Sequence, residues 1–391
     1  MALKVDAAIP YGNAGDAAVD ESLPVPEVSF AADPHGGPEA LWFCFRLLRD
    51  GPDAGGARVR LVLKHFLNLL GCGRDQAANL RPVLRRAGGG WERLGPAERL
   101  DLPDGRVHLA WTVPAPDPWI EVAMCYPYGR PEVEELVRGS GGAWRAEAIG
   151  LSQAGRPLLR LANGPGQPGS SRPGLYLVAR QHSGETPGSW VLDGFLRQVA
   201  ALGDKAPLVW TVPLANTDGV EQGDYGKDNF PYDLNRAWGK NPMRHETLAI
   251  QRDLRRWQER CRPALGIDFH APGGCEADGA YCFGPDPYDN LKLYREAQAW
   301  IGAARQALGP EYASADFDRL ATYTSRWETP TFTGHCIAAL ALASFSVETS
   351  YQMAPGGRIL AVEDYREIGR RMARGVCGRL AELDRAGAPG V

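Results

Sequence analysis

Within GLYLVARQHSGETPGSWVLDGFL (174–196) a histidine and a glutamate stand three residues apart, His182 and Glu185. An imidazole nitrogen and a carboxylate oxygen are both ordinary ligands for a divalent cation such as zinc. A lone HxxE pair arises often without a metal, so it decides little by itself. Two further segments add weight. His270 closes the apolar run PALGIDFHA (263–271), and Glu348 closes LALASFSVET (340–349). Two imidazoles and one carboxylate leave a coordination position open, where a water would become more acidic and a carbonyl would be polarised. A carboxylate outside the ligand set can take the proton of that water and hand it to a leaving amine. Asp268, two residues before His270, shares its strand face and is placed to orient the ring through a hydrogen bond. His245 and Glu246 serve as a contrast. They open HETLA, where a thermolysin-like HExxH would need histidine at Ala249, and they are expected on a solvated helix.

These residues need elements that bring them together. PGLYLVAR, PLVWTVPLAN (207–216), PALGIDFHA and LALASFSVET are short and nearly all apolar, the pattern of strands buried on both faces. Helical patterns lie between and after them, over 243–260 and 362–383. That alternation predicts an α/β region around a mainly parallel or mixed sheet flanked by helices. In such a sheet ligands collect beyond the carboxyl ends of the strands, which is where His182, Glu185, His270 and Glu348 fall. The first 128 residues differ. Stretches at 40–48, 58–67, 106–114 and 119–127 alternate or run apolar between Gly/Pro/Asp turns, with no long amphipathic helix. They predict an antiparallel β-sandwich, so the expected division is 1–128 and 129–391.

Composition narrows the class. The chain of 391 residues is 44% hydrophobic and 23% charged with net charge −4, a globular balance without the basic excess of a nucleic-acid binder. No run of 18 or more apolar residues is present, so no membrane span is expected, and the first twenty residues lack a secretory signal pattern. Eight cysteines without a CxxC pair are expected as free thiols, which points to the cytoplasm.

HSGET (182–186), DLNRAW (233–238), IDFH (267–270) and SVETSY (346–351) occur in the order found in zinc metallocarboxypeptidases, and the chain resembles that family. CYPYGRPEVEEL (125–136), RPVLRRAGGGWERLG (81–95), NTDGV (216–220) and the full segment from His182 to Leu196 resemble the cytosolic, deglutamylase-like branch. The resemblance implies one Zn2+ per chain on His182, Glu185 and His270, with Glu348 as general base and acid. It implies that Asn235 and Arg236 bind the terminal carboxylate of a peptide or protein, which suits a guanidinium fork. Tyr323 is the counterpart of a substrate-contacting tyrosine, and Arg326 on the same loop would meet an acidic side chain.

One position departs from the family. An arginine that helps to hold the oxyanion is expected where Gly226 stands, and Lys227 beside it is the candidate substitute. The implied reaction is removal of a C-terminal residue, acidic ones included. Two other readings share these residues: a zinc deacylase or amidohydrolase of the same fold acting on an N-acyl amino acid, and an inactive protein that only binds peptide tails. The oligomeric state is not encoded in these patterns.

Overall fold

The structure, a computed structural model, describes residues 2–51, 56–227, 232–287, 290–321 and 330–387. Ten strands come first: β1 (Ala2–Asp6), β2 (Gly15–Asp20), β3 (Glu27–Ala31), β4 (Cys44–Asp50), β5 (Arg58–Leu63), β6 (Val83–Arg86), β7 (Glu92–Arg93), β8 (Glu98–Asp101), β9 (Val107–Pro114) and β10 (Trp119–Ala123). They form two five-stranded sheets, ordered β1-β4-β10-β6-β7 and β2-β3-β5-β9-β8. Alternation drives the packing: Val107, Leu109, Trp111 and Val113 all turn one buried face of β9 inward. Phe30 of β3 meets Phe45 of β4 with ring centroids 4.6 Å apart, so the two sheets share a core. Every described pairing here is antiparallel except β3 with β5, which run parallel.

The rest of the chain alternates: α1 (Arg130–Gly139), β11 (Arg145–Leu151), β12 (Pro157–Ala162), β13 (Pro173–Ala179), α2 (Thr186–Ala201), β14 (Leu208–Val212), α3 (Thr217–Gln222), α4 (His245–Gln258) and β15 (Arg262–His270). Then follow β16 (Ala280–Phe283), α5 (Leu291–Leu308), β17 (Ala313–Arg319), α6 (Phe332–Leu340), β18 (Ser344–Thr349), β19 (Met353–Ala354), β20 (Arg358–Ile359) and α7 (Val362–Gly387). Eight of these strands make one mixed sheet, ordered β11-β12-β14-β13-β15-β18-β16-β17. Its four central strands, β14, β13, β15 and β18, are mutually parallel. Side chains of β13 alternate between two apolar layers. Leu175 and Leu177 pack with α2 and α7, while Tyr176 and Val178 pack with α4 and α6. Both faces are therefore covered, which explains the nearly continuous apolar strand sequences.

Strand β13 lies between β14 and β15, so successive crossovers leave it in opposite directions. Such a switch opens a crevice beyond the carboxyl ends of β13 and β15. Two local expectations shift. The apolar run at 340–349 is not one strand, because α6 continues to Leu340 and Ala341 ends it in the left-handed region at φ 49°. Apolar runs of this length do not distinguish a buried helix end from a buried strand. The segment at His245 and Glu246 is also less solvated than expected: His245 is exposed, but Glu246 is buried against Arg244 at 3.1 Å. Among the described residues no helix is long and apolar enough to cross a membrane.

Candidate metal centre

The turn after β13 carries His182. Arg180 begins it in a left-handed conformation, φ 60°, with its guanidinium buried. Its Nε donates to Ser183 O at 2.8 Å and Nη1 to Tyr128 O at 2.6 Å, which ties the turn to the YPY segment. Helix α2 starts directly afterwards with Pro187 in its first turn, where a missing N–H costs nothing. Glu185 occupies the N-cap position, yet its carboxylate does not cap the helix. It turns to the crevice instead. Oε1 lies 2.9 Å from His182 Nδ1, and Oε2 lies 2.7 Å from His270 Nδ1 and accepts from Ala271 N–H at 3.2 Å.

His182, Glu185 and His270 are all buried, and one ligand atom from each lies within 4.8 Å of the others. Each imidazole turns its other nitrogen to an aspartate. His270 Nε2 is 2.7 Å from Asp268 Oδ2, and His182 Nε2 is 3.3 Å from Asp233 Oδ1. A proton on each Nε2 leaves both Nδ1 lone pairs aimed at the space beside Glu185. Asp268 is itself fixed, accepting from Gln181 Nε2 at 2.5 Å, while Gln181 Oε1 accepts from Trp238 Nε1 at 2.6 Å. Asp268 thus lies against the His270 ring from the same strand. Asp233 is a residue the sequence reading missed in this role, although it opens the DLNR motif.

Charge supports a cation here. Burial alone would raise the Glu185 pKa, but His182, Lys227 and His270 outweigh it and hold the carboxyl well below its ordinary value. Asp233 is likewise lowered to about 2, burial being overcome by His182. Three buried carboxylates, Glu185, Asp233 and Asp268, thus face two imidazoles and one ammonium, with Lys227 Nζ 3.4 Å from Glu185 Oε1. A divalent ion between these donors would supply the positive charge that the two imidazolium rings otherwise provide. The donor set fits zinc.

Glu348 pairs in register with His270 on the neighbouring parallel strands β18 and β15, so both project to one face. Among the described residues its buried Oε2 has no hydrogen-bond partner. Burial raises its pKa to about 7, with the Glu185 charge adding to the shift and His270 and Lys227 opposing it. His182, Lys227, Asp233, Asn235, Arg236, His270 and Glu348 all line one cavity of about 560 Å³. Asn235 is fixed on both sides: its N–H donates to Asp233 Oδ1 at 2.8 Å, and its Oδ1 accepts from Phe332 N–H at 3.0 Å. Tyr323 and Arg326 lie outside the described residues.

Position 226 explains itself sterically. Gly226 has φ 95°, and a Cβ there would come within 2.4 Å of Ser183 N and Oγ. Any side chain at this backbone would be strained, and Lys227, one residue further on, places its ammonium 3.4 Å from Glu185 Oε1. Glu39, Leu70 and Tyr281 also line the cavity and were not anticipated. Tyr281 stands in register with Glu348 on the antiparallel side of β18, within a four-residue strand too short for its pattern to be read. Glu39 and Leu70 come from loops of the first ten-strand region, where no sequence signal marks them.

No protein-family model matches the chain. Mouse (Mus musculus) cytosolic carboxypeptidase 6 is 26% identical over 312 residues, 73% of this chain and 57% of that protein. Mouse cytosolic carboxypeptidase 1 is 32% identical over 109 residues, 26% of this chain and 9% of that protein. The chain is similar in sequence to these cytosolic carboxypeptidases. It spans little more than half the length of the first of these relatives and far less of the second. Among solved structures, a metallo-carboxypeptidase from Burkholderia cenocepacia superposes with a TM-score of 0.76 at 17% identity, covering 99% of this chain and 100% of that one. A Pseudomonas aeruginosa metallo-carboxypeptidase in complex with (2-guanidinoethylmercapto)succinic acid gives 0.73 at 19% identity, covering 97% and 100%. The metallo-carboxypeptidase fold therefore extends over both the ten-strand region and the mixed sheet.

Proposed function

We propose that the chain is a zinc-dependent carboxypeptidase, with one Zn2+ held by His182, Glu185 and His270. The observation that carries this is the joint placement of those three donors beside Glu348 at the carboxyl ends of β13, β15 and β18. Bound zinc would polarise the scissile carbonyl and make a water acidic. Glu348 takes the proton of the attacking water and returns it to the departing amine nitrogen. Arg236 and Asn235 receive the substrate's terminal carboxylate, the guanidinium by paired hydrogen bonds, which sets the last peptide bond against Glu348. Lys227 supplies positive charge to the carbonyl oxygen as it becomes an oxyanion. Asp268 and Asp233 keep the two rings in the tautomer that the metal needs.

We divide the chain into an accessory β-sandwich, 1–128, and a catalytic region, 129–391. Glu39 and Leu70 support a role for the first in shaping the entrance. The names of the relatives support action in the cytoplasm on peptide or protein C-termini. An acidic final residue is carried over from the resemblance alone: the described wall of the cavity bears Glu39, Glu276 and Asp286, and Arg326 is not among the described residues.

A peptide-library digest with mass readout of the released residue, with and without a chelator, tests the reading. Release of single C-terminal residues that stops on chelation and returns with zinc is expected. Cleavage of N-acyl amino acids with no action on free C-termini would replace it with the deacylase reading, and tight peptide binding without release would replace it with the binding one.

A further inference from the structure

Away from the metal cluster, Cys72 and Cys275 bring their sulfurs to 2.6 Å, although 203 residues separate them in sequence. Cys275 is buried and Cys72 half-buried. Their backbones meet beside the sulfurs. A Cβ on Gly71, at φ 66°, would come within 2.4 Å of Gly273 Cα, and one on Gly273 within 2.6 Å of Gly71 Cα. Only glycines let two chains pass this closely. Gly274 N–H donates to Leu70 O at 2.8 Å, and Asn79 Nδ2 donates to Cys275 O at 3.0 Å. Both segments are thus held together by backbone contacts, and the thiols sit inside that junction already aligned.

The junction also borders the candidate site. Leu70 on one segment and Pro272 and Glu276 on the other line its cavity. The segment bearing Cys275 begins directly after His270. We propose that Cys72 and Cys275 are a reversible disulfide modification site that clamps this wall of the cavity to the N-terminal sheets.

The chemistry balances with a small-molecule disulfide such as oxidised glutathione as oxidant. The Cys72 thiolate, the less buried of the two, attacks one sulfur of that disulfide, forming a mixed disulfide and releasing one small thiolate. The Cys275 thiolate then attacks the Cys72 sulfur and releases the second. Two protein thiols lose two protons, and two electrons leave on two molecules of small thiol. The hydrogen bond shared with Cys275, and then burial, push the Cys72 thiol above its ordinary range, which slows exchange.

The test uses the full chain and no substrate, so its failure is separate from failure of the hydrolase reading. Reduced protein is incubated with oxidised glutathione at about pH 8, where thiolate is more abundant, then denatured, alkylated and mapped by mass. Two of the eight thiols should escape alkylation, in a Cys72–Cys275 cross-linked peptide that reductant abolishes. Closing so long a loop should also raise the Tm by several degrees. Cys72→Ala and Cys275→Ala should each remove the cross-link and the Tm rise. Because Cys275 is buried, the half-buried Cys72→Ala variant decides the matter if the other folds poorly. Full alkylation of all eight thiols, a glutathione adduct that never closes, or a cross-link between other cysteines would overturn the proposal.

Discussion

The candidate site is built in two ways. His270 and Glu348 belong to β15 and β18 and stand opposite each other in a parallel ladder, with Asp268 one pleat back on the same face. Lys227, Asp233, Asn235 and Arg236 instead lie on the long connection between α3 and α4. In the first half, ladder register places the functional atoms, and a slip would move them to the wrong face. In the second, placement depends on contacts from far away. Asn13 Nδ2 donates to Gly223 O at 2.9 Å, and His35 Nδ1 lies 2.6 Å from Asp224 Oδ1. The strand half is placed mainly by its own sheet, whereas the connecting half borrows part of its geometry from the N-terminal sheets. Perturbations of the first should therefore change chemistry or metal most, and perturbations of the second should reach substrate handling and, through Lys227 and Asp233, the metal centre more weakly.

The largest effect is expected at Glu348. Glu348→Gln keeps the size of the side chain and removes its basicity, so kcat should fall about 10²–10⁴-fold. Zinc content, measured by elemental analysis on the same preparation, should stay at one per chain. A variant that turns over at the parent rate would break the assignment of the strand half, and one that loses zinc would move Glu348 into the ligand set.

Lys227→Ala tests the connecting half at its most chemical point. Loss of an oxyanion-stabilising charge should lower kcat/KM by about 10²–10³-fold with zinc retained. Unchanged kcat and kcat/KM would show that the ammonium only neutralises Glu185. The strain that any side chain would meet at Gly226 makes this test sharper, because Lys227 is the neighbouring residue that carries a charge to Glu185.

The same division explains what could be read from sequence. Strand-borne residues were legible because a buried parallel strand is a short apolar run, and the polar residue ending it is conspicuous: His182, His270 and Glu348 stand out this way. Asp268 followed from the two-residue period of the strand. Lys227 was legible only as a departure from a pattern, and its 3.4 Å approach to Glu185 depends on a fold-back of the chain that no periodicity encodes. Asp233 was visible as a motif residue, but its contact with His182 crosses 51 positions. Glu39 and Leu70 reach the cavity through the packing of one region on the other, which local sequence does not carry. Among the elements, β18 was placed too early because Cys336 to Ala343 is apolar whether helical or extended.

The two aspartates behind the imidazoles compare the halves at equal chemistry. Asp268 is on a strand, 2.7 Å from His270 and held by Gln181; Asp233 is on the connection, 3.3 Å from His182. Partners of this kind are worth about 10–100-fold in metal affinity. Asp268→Asn should weaken zinc binding toward the upper end of that range and Asp233→Asn toward the lower, measured by competition with a chromogenic chelator. Equal losses would remove the distinction in rigidity between the two halves.

The smallest expected effect lies farthest from the metal, and it isolates the borrowed geometry. Asn13 is buried and its side chain makes three hydrogen bonds: Nδ2 donates to Asp33 O at 2.8 Å and to Gly223 O at 2.9 Å, and Oδ1 accepts from Asp33 N–H at 2.8 Å. Asn13→Ala leaves those buried backbone groups unpaired, at a cost of about 1–3 kcal/mol in stability. Gly223 lies four residues before Lys227, so the connection loosens where it carries its charge. KM should rise a few-fold while zinc affinity falls less, because His270 stands on β15 and only the turn at 183–184 meets this stretch, through Ser183 Oγ to Asp224 O at 2.9 Å and Gly184 N–H to Tyr225 O at 2.8 Å. Thermal unfolding, steady-state kinetics and zinc competition on one preparation separate the outcomes. A loss of zinc affinity equal to the rise in KM would mean that the N-terminal sheets support the whole site, and the two halves would then be one.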